Sequence, residues 1–208
     1  VGLLTDSAIA EYKRLPYLNY NQREKIIKNL QGVTEVVPQN EWDYSPNIKK
    51  IRPDTLLVSL MHVNNETGIK QPIQELCEGL KDKDCFLHVD AAQGFGKDIE
   101  TLRNKRIDLI SISGHKIYGP KGIGTLITKL RNFEKPPLKP LFFGGGQEHK
   151  LRPGTLPVHL IVGLGEATKI ALRDIKKRKE LNNKIFDQVK PILPSIKRQF
   201  RLPLNLRL

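Results

Sequence analysis

The chain has 208 residues, of which 38% are hydrophobic and 27% charged, with a formal net charge of +13. That length and composition suit one sizeable domain, or one domain with part of a second, and exclude a fibrous or low-complexity chain. No apolar run approaches the roughly 18 residues that span a bilayer, and no charged-then-apolar leader opens the chain. A soluble, intracellular protein is expected, cytoplasmic or, in a eukaryote, mitochondrial.

In chain order, Val1-Gly2-Leu3-Leu4-Thr5 reads as a strand already under way, and the single methionine is Met61 rather than an initiator. A piece of a longer protein is therefore expected. Ile26, Ile27 and Leu30 predict an amphipathic helix over residues 21–30, ended by Gly32. Val33 to Val37 reads as a strand, and Ser45-Pro46 as the start of a brief helix. Thr55 to Val63 is a continuous apolar run, read as a buried strand that ends in the loop Asn64-Asn65-Glu66-Thr67-Gly68. A helix is predicted from Pro72 to Leu80, then strands from Phe86 to Asp90 and from Ile107 to Ile112. The last of these runs into Ser113-Gly114-His115-Lys116. Gly124 to Thr128 and Leu141 to Phe143 read as further strands.

Thr155 as cap and Pro157 in the first turn open a long predicted helix. Its apolar stripe is Ile161, Leu164, Ala167, Ile170, Ala171 and Ile175, and it runs to about Val189 before Pro191 and Pro194. Strands alternating with helices imply an α/β fold with a mostly parallel sheet covered by helices on both faces. The polar motifs fall at the carboxyl ends of the strands, where open α/β sheets bind ligands.

Cys77 lies in a helical pattern and Cys85 opens a strand, with no CxxC or metal-ligand spacing. Both read as free, buried thiols in a reducing compartment. From Arg173 to Leu208 eleven Lys or Arg stand against three acids. A basic tail of this kind could take nucleic acid or an acidic protein partner. A solvated, lysine-rich helix face is the plainer reading.

Two edge residues carry the chemistry. Asp90 follows a strand read as buried, so its carboxylate would seek a cationic partner. Lys116 follows a Ser-Gly-His turn; a lysine held against apolar walls loses proton affinity and becomes a nucleophile able to form an imine. An acid for a pyridinium nitrogen and a lysine for an imine are the minimal protein parts of a pyridoxal-phosphate site. Spacing alone leaves a strand-end cap and a solvated lysine open as alternatives.

The strings themselves go further. His62-Val63-Asn64-Asn65-Glu66-Thr67-Gly68, His88-Val89-Asp90-Ala91-Ala92-Gln93 and Ser113-Gly114-His115-Lys116-Ile117-Tyr118-Gly119-Pro120-Lys121-Gly122 resemble the signature of cysteine desulfurases. These are class V aminotransferase-like enzymes of the type I pyridoxal-phosphate fold. Gly144-Gly145-Gly146-Gln147-Glu148 and Arg152-Pro153-Gly154-Thr155 resemble the next motif of that family, in the same order. The resemblance covers residues 51–175. It implies pyridoxal 5'-phosphate as cofactor, with Lys116 holding it as an imine and serving as base and acid at the substrate α-carbon. It implies Asp90 at the pyridinium nitrogen, Asn65 and Gln93 at the phenolic oxygen, and Ser113 and His115 at the phosphate. Thr155 matches a residue that reaches the phosphate of the other subunit's cofactor, which implies a homodimer. L-cysteine as substrate and a sulfur-acceptor protein as partner follow from the same likeness, with sulfur passing to iron–sulfur cluster assembly or tRNA thiolation. Residues 1–172 then read as the cofactor-binding large-domain segment, and 173–208 as a basic helix leading toward a small domain outside the sequence.

The departures are specific. Nothing matches the family's upstream phosphate loop rich in Gly, Thr and Ser. Where the family has a ring-stacking histidine, the nearest match is Tyr12 in Glu11-Tyr12-Lys13. Neither Cys77 nor Cys85 matches the family's nucleophilic cysteine, so this chain alone is expected to be inactive. The alternatives are selenocysteine lyase, whose motifs overlap these, and a non-catalytic dimerisation or basic interaction remnant.

Overall fold

A computed structural model describes residues 1–10, 15–41, 51–66, 68–189 and 191. The expectations for Tyr12, Ser45-Pro46, Thr67 and Pro194 lie outside the described residues. The chain forms two compact units: Val1–Arg52 with Asn64–Pro72 and Leu181–Leu208, and Pro53–Val63 with Ile73–Glu180.

In the first unit, strand β1 (Gly2–Leu4) pairs in parallel with β2 (Val37–Gln39). Helix α1 (Asp6–Ala10) follows β1, and α2 (Tyr20–Lys28) opens on a capping box. There Asn19 accepts from the Gln22 N–H while the Gln22 side chain accepts from the Asn19 N–H, which satisfies two otherwise orphaned donors. Asp6 ties the two helices by accepting from the Tyr20 N–H at 2.9 Å and from Arg23 at 2.6 Å, and these bonds hold its carboxyl below the usual range. The strand expected over Val33 to Val37 begins only at Val37. Val33 is still closing the turn off α2, donating to the Leu30 carbonyl at 3.1 Å, and β1 offers a partner of only three residues.

The second unit holds a four-stranded sheet in the order β3 (Leu57–Met61), β4 (Phe86–Asp90), β5 (Leu109–Ser113), β6 (Gly124–Thr128). The first two pairings are parallel and the last is antiparallel. Its core comes from the alternate residues that strand periodicity points one way, with Leu87 and Val89 wholly buried. Ile73, Leu76 and Cys77 of helix α3 (Ile73–Gly79) are buried too, where the sequence pattern placed them. Each such aliphatic side chain contributes about 1.5–3 kcal/mol by leaving water. Strand β3 is not fully buried as expected: Leu57 is 50% exposed, because β3 is an edge strand.

Three further expectations are corrected. Leu141 to Phe143 forms no strand; Pro140 and Gly144 border it, and all three side chains are exposed. The long helix is two, α4 (Val158–Arg173) and α5 (Ile175–Val189), interrupted at Asp174, whose φ of −93° and ψ of 6° leave helical geometry. Asp is a poor interior helix residue because its side chain competes for nearby polar groups, and here it bonds Arg173 at 2.7 Å. Thr155 does not cap α4; Pro157 stands at that position and makes no side-chain bond. Pro191 lies just beyond the end of α5, as expected.

At the amino edge of the sheet an ion cluster replaces apolar packing. Asp108, 2% exposed, accepts from the Leu87 N–H at 2.8 Å, from Arg106 at 2.9 Å and from Arg131 through two nitrogens at 2.7 Å each. Both arginines also donate to the Cys85 carbonyl, and Arg131 lies 4.5 Å over the Phe86 ring. Burial alone would raise the Asp108 carboxyl, but the bonds from Arg131 and Leu87 and the charges of Arg131 and Arg106 outweigh it and hold it low.

Removing one member of such a cluster strands the other charges. Asp108→Ala should cost about 3–5 kcal/mol in urea unfolding. Because the folded carboxyl sits below its unfolded value, its contribution is complete above the unfolded pKa of about 4 and is lost as pH falls below it. The variant should lack that part of the acid-side slope.

Candidate functional site

The residues singled out from the sequence gather at the carboxyl ends of β4 and β5. Asp90 is the last residue of β4, and its Oδ1 accepts from the Ala92 N–H at 3.0 Å. Among the described residues Oδ2 takes no hydrogen bond. The carboxylate is exposed rather than buried as the sequence implied, because the strand ends at Asp90 and it is the next residue, Ala91, that turns into the core. The turn after it carries Gln93, half-buried, and closes through Phe95 N–H to Ala91 O at 2.8 Å and Asp98 N–H to Gly94 O at 2.8 Å.

Strand β5 ends at Ser113, whose Oγ lies 3.0 Å from His115 Nδ1. Gly114 to Ile117 forms one 3-10 turn, and Tyr118 leaves it in the left-handed region at φ 64°. Ile117 is buried while Lys116, one residue earlier, is half-buried. Among the described residues the Lys116 ammonium has no hydrogen bond or ion pair. Asp90, Gln93, Ser113, His115 and Lys116 thus stand at or just beyond the carboxyl ends of two adjacent parallel strands.

Helix α4 sets where these two turns lie. A side chain on Gly163 would come 2.5 Å from Pro120, and one on Gly114 would meet Leu164 at 3.2 Å and the Ile123 carbonyl at 2.9 Å. One on Gly119 would meet Ala167 at 3.2 Å, and one on Gly96 (φ 72°) would meet Ala171 at 3.0 Å. Small residues at four-residue spacing on α4 therefore let both turns approach the helix closely. A side chain on Gly96 would also meet Ile117 at 3.2 Å, so the Gln93 turn packs closely against the Lys116 turn.

Asn65 is exposed on the loop after β3, in the first unit; Asn64 beside it is buried, and its Oδ1 accepts from the Glu66 N–H at 2.9 Å. Thr155 is exposed in the segment before α4. A cleft of about 660 Å³ opens against β6, lined by residues including Thr125, Arg152, Leu156 and Ile161; neither Asp90 nor Lys116 lines it.

Sequence reasoning missed a polar chain on the face that carries Asp90. His88 Nδ1 lies 2.8 Å from Ser59 Oγ and its Nε2 lies 3.1 Å from Ser111 Oγ. Serines on β3 and β5 flanking a histidine two residues before the acid were the available signal.

An α/β unit with a lysine, an acid and a hydroxyl–imidazole pair at the carboxyl edge of a parallel sheet is a cofactor-binding scaffold. Residues 27–200 match the model of the family described as aminotransferase class-V, and the chain belongs to that family. It is 45% identical over 161 residues to the mitosomal cysteine desulfurase of Trachipleistophora hominis, covering 76% of this chain and 36% of that protein. It is 49% identical over 138 residues to cysteine desulfurase IscS of Rickettsia prowazekii, covering 66% and 33%. Among solved structures, DndA from Streptomyces lividans superposes with a TM-score of 0.68 at 42% identity, covering 90% of this chain and 53% of that one. A NifS-like protein superposes at 0.70 and 29% identity, covering 93% and 52%. The chain spans about a third of the length of these curated relatives and about half of the solved chains. The fold is the large-domain part of the type I pyridoxal-phosphate-dependent transferase fold, and pyridoxal 5'-phosphate is the family's cofactor.

The residues present fit that cofactor. Among the described residues Asp90 offers one unoccupied carboxylate oxygen and Lys116 an unengaged amine, and Ser113 with His115 forms a pair of donors. Neither thiol belongs to the set: Cys77 and Cys85 are free and buried, and burial pushes the Cys77 thiol up to about 11. A raised thiol pKa leaves Cys77 protonated and unreactive until the pH approaches that value. Ellman's reagent at pH 8 should therefore find both thiols silent in the native chain and both reactive in denaturant. Rapid native labelling would contradict the burial.

Proposed function

We propose that the chain is the large-domain segment of a cysteine desulfurase, which converts L-cysteine to L-alanine and leaves the sulfur as a persulfide on an enzyme cysteine. The observation that carries this reading is that, among the described residues, the Lys116 amine and one Asp90 carboxylate oxygen are unengaged at the carboxyl ends of neighbouring parallel strands. Its likeness to the mitosomal and IscS cysteine desulfurases and to the NifS-like structure supports it.

Pyridoxal phosphate, when bound, supplies an electron-accepting ring. Lys116 anchors it covalently and then moves a proton at the substrate α-carbon, a task suited to an amine that no carboxylate ties down. Asp90 accepts a hydrogen bond from the pyridinium N–H and keeps that proton in place. Ser113 and His115 bind the phosphate, Gln93 donates to the phenolic oxygen, and the family likeness assigns Asn65 to that oxygen as well. Thr155 serves the phosphate of a partner subunit in a homodimer. The exposed apolar run Leu141, Phe142 and Phe143, each at least 74% exposed, supports a surface covered by another chain.

Sulfur abstraction needs an accessible thiolate, and neither thiol of this chain suits it. The thiol that takes the sulfur is assigned outside this segment, as is the acceptor protein that receives it for iron–sulfur cluster assembly. Residues 1–172 serve as the cofactor-binding segment and 173–208 lead toward the domain that carries that thiol.

Asp90→Ala tests the reading in the full chain loaded with cofactor. Charged hydrogen bonds are worth about 1.5–3 kcal/mol, so desulfuration of L-cysteine should fall at least about tenfold while the chain stays folded. Sulfide release at the parent rate would reduce Asp90 to a strand-end cap.

A further inference from the structure

We propose that His88 is a positioning residue for Asp90, held as a neutral Nε2–H imidazole that orders a hydroxyl chain running from Ser59 through His88 to Ser111. The proposal rests on the cofactor-binding reading above and adds a residue to it.

Strand periodicity puts His88 and Asp90 on the same face of β4, one pleat apart. Ser59 on β3 is the register partner of His88, and Ser111 on β5 is the register partner of Asp90. The imidazole therefore bridges three adjacent strands immediately behind the carboxylate, with Nδ1 at 2.8 Å from Ser59 Oγ and Nε2 at 3.1 Å from Ser111 Oγ. A neutral imidazole has one N–H and one bare nitrogen, whereas a hydroxyl can serve as either donor or acceptor. The chain must then run in one direction.

The neighbouring charge selects the direction. A carboxylate orients nearby hydroxyl dipoles with hydrogen toward itself. Ser111 is the serine in register with Asp90, so its hydrogen turns away from the ring and its oxygen accepts from His88 Nε2–H. Ser59 then donates to Nδ1. Burial pushes the His88 imidazole toward its neutral form more than the charge of Asp90 pulls it back. A cation at this position would compete with the cofactor for the negative charge of Asp90. A neutral brace leaves that charge whole while fixing the strand end that aims it.

The test uses the full chain loaded with pyridoxal phosphate carrying a ¹⁵N label at the ring nitrogen. Histidine ¹⁵N resonances of the parent, with the His88 signals assigned by their loss in His88→Gln, should show Nε2–H and a bare Nδ1 from about pH 6 to pH 8, a range in which a histidine of ordinary pKa near 6.5 would become charged toward the acid end. An imidazolium at pH 7, or the opposite tautomer, overturns the proposal whatever the activity of the variants. His88→Phe should lower kcat about tenfold with KM within about twofold and move the ring-nitrogen signal toward the deprotonated form, since the lost interaction acts on the reacting state. His88→Gln, which keeps one donor and one acceptor, should recover most of that loss, and His88→Lys should lose more than Phe. A His88→Phe chain with the parent ring-nitrogen signal and parent kcat makes His88 packing alone. No visible cofactor band in the parent would instead sink the cofactor reading, so the two failures are distinguishable.

Discussion

The structure depends on how closely two backbone turns can approach one helix. Gly163, Ala167 and Ala171 of α4 leave room for Pro120, Gly119 and Gly96, so the turns leaving β4 and β5 rest on the helix with almost no side-chain volume between. Interiors pack to crystal-like density, so an added methyl at these contacts must shift backbone rather than fill space. That constraint places Lys116. The lysine lies within a 3-10 turn whose first residue, Gly114, has no room for a side chain against Leu164 and the Ile123 carbonyl and whose last, Ile117, is buried.

The two edges of the sheet are built on opposite principles. At the amino edge, Asp108 is heavily bonded: Arg106, Arg131 and the Leu87 N–H all donate to it, and the arginines' other donors go to backbone carbonyls and to the Asp84 carboxylate. A fully satisfied buried cluster fixes one geometry and does nothing else. At the carboxyl edge, among the described residues, Asp90 keeps an open oxygen and Lys116 an unengaged amine. Such groups add nothing to stability where they stand, and they are the groups a cofactor can use. The hydroxyl–imidazole chain of Ser59, His88 and Ser111 lies just behind the open edge, on the same sheet face.

Much of this was legible in the residues. Strand β6 falls where the apolar run from Gly124 to Thr128 predicted, and β4, β5 and α3 lie within two residues of expectation. Legibility failed where a local pattern depends on a distant neighbour. The Leu141 to Phe143 run looks like a strand, but a strand needs a ladder partner and it has none among the described residues. The helix break at Asp174 is invisible to periodicity, because the apolar stripe continues across it to Ile175. The exposure of Asp90 could not be read from its apolar strand, since the acid ends that strand. The motif residues were found through their strings, whereas the Asp108 cluster joins residues 84 to 131 and leaves only Arg106-Ile107-Asp108 as a local trace.

The account turns on Lys116 being the covalent anchor. Borohydride reduction of the full chain with bound pyridoxal phosphate fixes the cofactor to whichever lysine holds it, and peptide mapping identifies that residue. The account predicts a single modified peptide, the one containing Lys116, and no stable label in Lys116→Ala. Labelling spread over other lysines such as Lys97 and Lys121, or an unchanged yield in Lys116→Ala, would contradict it.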